Sequence, residues 1–313
     1  MKLRVFGLLS ALLLGFGHGE ALALDRSETL SHDGLERRYR VIAPDGKPVD
    51  PKGWPLVMVL HGGGGSGGQM ARVSDFGPMA REEGFVAVFP NALGKHWNDG
   101  RQANALDAHG KNVDDVGFLL ALIDRLSASL PIDRNRVYAL GPSNGGMMAQ
   151  RLACEAAERF AAVASVIANM PEPLTTSCRP SEPLAMMVIN GTADPMIPWD
   201  GGPVGLGRQD RGRVISTRET VDHWIRANGC NMAGDSFLLP DKDPGDGVLI
   251  RASRWHNCSQ GTEVLLYAMD GAGHRWPGEP RAGMPLLKRL MGPLAMDIEA
   301  EREIWAFLKA HRR

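Results

Sequence analysis

Neither sign of charge dominates this 313-residue sequence: 35 Lys and Arg stand against 36 Asp and Glu, a formal charge of -1. That balance excludes the basic footprint of a nucleic-acid-binding surface. Cysteine is scarce, with only four, and none stands in a C-x-x-C pair, which argues against a bound metal. We find no internal repeat, no low-complexity tract and no Ser/Thr-rich linker, so nothing marks an appended module. The apolar run over residues 5–16 is too short to span a bilayer. No Lys-Ser or Lys-Thr follows Gly67 or Gly68, which removes a Walker loop.

The start of the chain has the order of a secretory leader. Lys2 and Arg4 are basic, an apolar run follows, and Ala21-Leu22-Ala23 forms an A-x-A cleavage site. Residues 1–23 are therefore expected to be a signal peptide and residues 24–313 a single catalytic domain, secreted or periplasmic, with no membrane span after cleavage. Without the leader the chain holds 33 basic and 35 acidic residues. Cys154, Cys178, Cys230 and Cys258 remain, an even number that suits disulfides in an oxidising compartment. Of the three possible pairings, the nearest neighbours in sequence are expected: Cys154 with Cys178, and Cys230 with Cys258. The sequence gives no sign of oligomeric state.

Continuous apolar runs of strand length alternate with longer segments of helical period, the βαβ pattern of a mostly parallel sheet covered on both faces. Strands are expected over residues 56–60 (LVMVL), 85–89 (FVAVF), 137–140 (VYAL), 184–189 (LAMMVI) and 264–268 (VLLYA). Their lack of alternation implies burial on both faces. Helices are expected over 113–129, after Ser143, over 214–228 and over 296–311. The stretches 201–212 and 241–247 read as surface loops. Asp241 to Gly247 has neither the spacing nor the closing Glu of a calcium loop.

Gly141-Pro142-Ser143-Asn144-Gly145 matches G-x-S-x-G between a buried strand and a helix, the context that gives this motif meaning. The glycines allow a tight turn that lifts the Ser143 hydroxyl clear of the sheet. A serine hydroxyl is a weak nucleophile, so a base must take its proton and an acid must orient the base. In the α/β-hydrolase fold both follow the serine, each on a loop after a later strand. Asp194, just past the fourth run, fits the acid. His274, in Gly271-Ala272-Gly273-His274 after the fifth, fits the base better than His223 in a helix, His256 beside a cysteine or His311 at the tail.

A tetrahedral oxyanion needs preorganised donors. His61-Gly62-Gly63-Gly64-Gly65 follows the first run as the H-G-G-G loop of lipases and esterases does, and the amides of Gly62 or Gly63 and of Asn144 are the expected donors. Read literally, Gly63 to Gly68 also contains G-x-G-x-x-G. The next strand ends Phe89-Pro90-Asn91, without the acidic residue a ribose requires. Trp97, Trp199 and Trp276 fall in loops near these motifs and are candidate substrate walls, with core packing as the competing role.

Over almost everything from residue 35 onward, the chain resembles the exported polyhydroxybutyrate depolymerase-like and feruloyl esterase-like enzymes. The matching stretches are 61–65, 113–118 (VDDVGF), 136–152 (RVYALGPSNGGMMAQRL), 191–198 (GTADPMIP), 224–230 and 273–278 (GHRWPG). The resemblance implies an α/β-hydrolase fold, the triad Ser143, Asp194 and His274, a small or oligomeric ester as substrate, and no cofactor. Pro142 and Asn190 depart from the family, which more usually has a non-proline and often a histidine at these positions. Fold and triad do not fix the leaving group, so a peptidase or thioesterase is an alternative within enzymes. A non-catalytic carbohydrate- or lipid-binding module is the alternative outside them; its usual sign, a missing triad member, is absent.

Overall fold

The runs that are apolar at every position, not at every second one, form the centre of the protein. A computed structural model describes residues 24–207, 210–231, 234–279 and 289–313; the expected leader lies outside them. Among the described residues one sheet has ten strands. They are β1 (Leu24–His32), β2 (Leu35–Ala43), β3 (Trp54–Val59), β4 (Val86–Pro90), β5 (Ile132–Pro142), β6 (Ala162–Val166), β7 (Ala185–Gly191), β8 (Asp235–Leu238), β9 (Leu249–Trp255) and β10 (Val264–Asp270). Their order is β1-β2-β4-β3-β5-β6-β7-β10-β9-β8. The six strands from β4 to β10 run parallel, and an antiparallel pair closes each edge.

All five expected strands lie in the parallel part, where every residue of β3, β4, β6 and β7 is buried. Alternate side chains feed two cores. Leu56, Met58 and Leu60 pack with α3 (Asp115–Ser129), α4 (Asn144–Glu155) and α5 (Thr217–Ala227). Val57 and Val59 point the other way, towards α1 (Gly67–Val73), α2 (Phe76–Glu83) and α6 (Ala300–Lys309). This is the doubly covered sheet that continuous apolar strands require.

The differences from the expected elements are local. Strand β6, Ala162-Val163-Ala164-Ser165-Val166, is too short and alanine-rich to stand out by propensity. Helix α5 starts at Thr217, not 214, because Val214 is in a two-residue ladder with Gly202 and because Ser216 and Glu219 form a capping box. Helix α6 starts at Ala300 rather than 296. Both expected disulfides are present, Cys154–Cys178 and Cys230–Cys258.

The VDDVGF stretch has a structural role. Asp114 caps α3 by accepting the Gly117 N–H. Asp115, fully buried, accepts from Arg37 Nη2 at 2.5 Å and from the Asn98 N–H at 2.7 Å. Burial pushes the Asp115 carboxyl up, against the opposing pull of Arg37 and the Asn98 amide. Removing one member of such a pair strands a charge in the core. Arg37→Met should therefore cost about 3–5 kcal/mol in urea denaturation, and adding Asp115→Asn should recover part of that loss. A single-variant loss below about 1 kcal/mol, the level of an exposed pair, would contradict it.

Candidate active site

Strand β5 ends at Pro142 and α4 begins at Asn144, so Ser143 alone turns the chain, at φ 55° and ψ -123°. A positive φ is costly for a residue with a side chain. Glycines make the turn possible by close approach. A Cβ on Gly141 would lie 2.7 Å from Leu60 O, and one on Gly145 would lie 2.7 Å from His61 O. The Ser143 N–H donates to Val166 O at 2.9 Å, which carries the β5–β6 pairing into the turn.

Asp194 lies just past β7, with Oδ1 accepting the N–H groups of Met196 and Ile197 at 2.7 and 2.8 Å. Its Oδ2 receives His274 Nδ1 at 2.7 Å; the Asp194 side chain is buried and that of His274 keeps a small exposed part. The acid and histidine loops are packed backbone to backbone: Ala193 N–H donates to Ala272 O, and a Cβ on Gly191 would lie 2.3 Å from that same oxygen. His274 is held from the other side by its N–H bond to Met291 O. Asn190, the family departure, ends a buried polar cluster in which its amide donates to Asn169 Oδ1 and Thr217 Oγ1 and accepts the Ala168 N–H.

The glycine loop is fixed by His61. Its Nε2 accepts the Ala92 N–H at 3.0 Å, so the ring proton resides on Nδ1, which donates to Gly62 O at 2.8 Å. The amides of Gly64 and Gly65 are engaged by Lys95 O and Gly62 O. The donors this loop can offer therefore come from Gly62 and Gly63. The Asn144 N–H opens α4, and the first amides of a helix have no intrahelical acceptor. The Asn144 side chain is clamped: Oδ1 accepts Trp97 N–H at 2.7 Å, and Nδ2 donates to Trp97 O at 3.0 Å and to Asp99 Oδ2 at 2.6 Å.

Ser143, Asn144, Gly62, Gly63 and His274 line one cavity of about 310 Å³. Trp276 forms part of its wall and is tied by Nε1 to Glu301. The other two tryptophans are corrected. Trp97 is fully buried, with its ring against His61 and its Nε1–H on His61 O, so it supports the glycine loop from behind. Trp199 is half-buried outside the wall, where its carbonyl receives the Thr217 N–H. Sequence reading missed Asp99, Arg101, His96 and Arg211. They lie in irregular segments, where no periodicity marks which polar residues turn inward. Among the described residues no group of three or more His, Cys, Asp or Glu side chains is arranged to hold a metal ion.

A mostly parallel sheet with this turn at the end of a central strand, and with the Asp–His pair on later loops of the same edge, is the architecture of an α/β-hydrolase. Comparison with known proteins narrows the class. The profile of the prolyl oligopeptidase family matches residues 74–186, which include the Ser143 turn but neither Asp194 nor His274. A putative esterase, NocK, of Nocardia uniformis subsp. tsuyamanensis is 36% identical over 251 residues, 78% of this chain and 72% of the relative. Feruloyl esterase D of Neurospora crassa is 26% identical, over 85% of this chain and 84% of its own. In fold, an acetyl xylan esterase from Aspergillus awamori superposes with a TM-score of 0.55 at 14% identity, covering 80% of this chain and 94% of that one. The chain belongs to the feruloyl esterase-like family of α/β-hydrolases and is a carboxylic ester hydrolase.

The His61 tautomer makes the glycine loop sensitive to acid. Burial holds this imidazole down at about 4, a shift the bond to Gly62 opposes and His96 adds to. An unfolded histidine titrates near 6.5. The folded state therefore binds fewer protons than the unfolded one between those values, and stability present above pH 6.5 is lost as pH falls towards 4. The full loss is on the order of 3 kcal/mol. Thermal melts between pH 7 and 4 should show a steeper decline for the wild type than for His61→Gln. Parallel declines would remove His61 as the cause.

Proposed function

We propose that the chain is an exported serine esterase that hydrolyses feruloyl, acetyl or short hydroxyacyl esters through an acyl-enzyme on Ser143. The observation that carries this reading is the 2.7 Å bond from His274 Nδ1 to Asp194 Oδ2, in a histidine that shares the cavity wall with Ser143. With Nδ1 engaged by the carboxylate, Nε2 is the nitrogen left to act as base. Ser143 Oγ attacks the ester carbonyl carbon and its proton passes to Nε2. Asp194 stabilises the imidazolium, and the amides of Gly62 or Gly63 and of Asn144 take the charge on the carbonyl oxygen. As the C–O bond breaks, the alcohol leaves with the His274 proton. Water then gives a proton to His274, its oxygen attacks the acyl carbon, and the acid leaves as Ser143 regains its proton.

In this reading residues 24–313 form one catalytic domain behind a leader of 1–23. One observation favours export to the periplasm or beyond: both cysteine pairs are disulfide-bonded. The names of the relatives favour an ester over an amide, and Trp276 offers the cavity an aromatic wall for a planar or sugar group.

Ser143→Ala should keep its fold and lose roughly four or more orders of magnitude in kcat, and a phosphonate should label Ser143 alone. The panel that sets the substrate contains methyl ferulate, acetylated xylan, soluble hydroxybutyrate oligomers, a cast polyhydroxybutyrate film and a peptide amide. Turnover is expected on the soluble esters. Rapid clearing of the film or cleavage of the amide, with little turnover of soluble esters, would contradict the reading, as would near-normal hydrolysis by Ser143→Ala.

A further inference from the structure

The amide that follows the nucleophile belongs to a strained peptide. A ψ of -123° at Ser143 sets the plane of the Ser143–Asn144 peptide, and with it the direction of the Asn144 N–H. A residue at φ 55° keeps such a conformation only where its surroundings over-determine it. Before the serine, the hold is the Ser143 N–H bond to Val166 O at 2.9 Å. After it, the hold comes through the buried side chain of Asn144, whose carbonyl and both amide hydrogens are engaged. Two of those bonds go to Trp97 backbone, which any side chain at position 97 would supply. The third, to Asp99 Oδ2, is the shortest at 2.6 Å and alone has a charged acceptor, the stronger kind of hydrogen bond.

Asp99 is itself immobilised. It is fully buried, its Oδ1 accepts the Arg101 N–H at 3.1 Å, and the Arg101 Nε–H lies between its two oxygens at 3.0 and 2.9 Å. Nε2 of buried His109 stands 3.5 Å from Oδ1. Arg101 is backed in turn, since its Nη1 donates to Arg211 O at 3.1 Å and a Cβ on Gly212 would lie 2.8 Å from Arg101 O. The carboxylate therefore has one oxygen given to Arg101 and one shared with Asn144. Asp99 is not among the residues that line the catalytic cavity, whereas Ser143 and Asn144 are. Whatever it contributes to the chemistry passes through the Asn144 side chain.

We propose that Asp99 is a positioning residue for ester hydrolysis, which anchors the Asn144 side chain and so keeps the Asn144 N–H aimed at the oxyanion. This rests on the serine esterase reading above and adds to it a residue that never touches the substrate. Acylation and deacylation both pass through a tetrahedral oxyanion, so loosening this donor slows the two steps together. kcat then falls, while KM, set by ground-state binding and by the ratio of the two steps, stays near its wild-type value.

The test uses Asp99→Asn, which keeps the shape. With its oxygen turned to Arg101, its new amide group meets that of Asn144 donor against donor, so this contact is lost while both bonds to Trp97 remain. Rates on 4-nitrophenyl acetate are taken per active site by phosphonate titration, which leaves any unfolded fraction out of the comparison. The expected result is a kcat lower by roughly 10- to 100-fold, less than the loss of a whole donor, with KM little changed. The Ki of a trifluoromethyl ketone, whose adduct with Ser143 carries the oxyanion, should rise in parallel. Asn144→Ala is the second variant; it keeps the backbone N–H, loses the anchor, and should show the same split. Adding Asp99→Asn to it should cost little more, because a residue that acts through Asn144 then has nothing to act on. An unchanged kcat per site, a loss carried by KM with inhibitor affinity intact, or losses that multiply in the double variant overturn the proposal. Absence of ester turnover by the wild type would instead overturn the esterase reading, and this inference with it.

Discussion

A serine held at φ 55° is tolerated only where its surroundings leave it no other conformation, at a cost of about 1–3 kcal/mol. The turn at Ser143 meets that condition from three sides. Strand β6 takes its N–H, the two residues after β3 press on Gly141 and Gly145 through Leu60 O and His61 O, and α4 starts at once behind it. Each constraint comes from an element buried on both faces, which cannot shift without opening a core. The strain thus belongs to the sheet rather than to the loop, and the hydroxyl is raised where the sheet decides.

The same edge is organised by buried carboxylates acting on backbone. Asp115 takes the Asn98 amide, Asp99 takes the Asn144 side chain and Arg101, and Asp194 takes the amides of Met196 and Ile197 as well as His274. A buried acid is expensive unless every oxygen is used. Each of these acids satisfies that demand by drawing a loop inward. The irregular segment from Asn91 to Val113 has little regular structure of its own, yet Trp97, Asn98 and Asp99 are buried and hydrogen-bonded. His61 completes the arrangement as a neutral ring that accepts on one nitrogen and donates on the other.

What could be read from sequence was whatever repeats or punctuates. Continuous apolar runs identified the central strands, because burial on both faces leaves no polar position. Glycines at 141 and 145 marked the close backbone approaches later found at the turn. Chain order singled out Asp194 and His274 from the other acids and histidines, and the structure joins them by a hydrogen bond. Asp99 and Arg101 escaped notice because Asn98-Asp99-Gly100-Arg101 has the composition of an exposed turn. Only the packing of Asn144 against Trp97 reveals that it faces inward. The tryptophans failed for a related reason: a loop position does not say whether a large ring faces the cavity or lies behind it, and of the three only Trp276 lines the wall.

The disulfides show where covalent constraint was placed and where it was left out. Helices between parallel strands run back against them, so the far ends of α4 and α5 lie at the amino edge of the sheet, away from the Ser143 turn. Cys154 ends α4 and pairs with Cys178 ahead of β7; Cys230 follows α5 and pairs with Cys258 ahead of β10. Each closes 24 or 28 residues, a loop that on chain-entropy grounds contributes roughly 3 kcal/mol. Neither touches the loops that carry Asp194, His274 or the glycines. Those loops are fixed by hydrogen bonds and by backbone approaches close enough to admit only glycine. The stability that offsets the strained turn is thus supplied from the opposite edge of the same sheet.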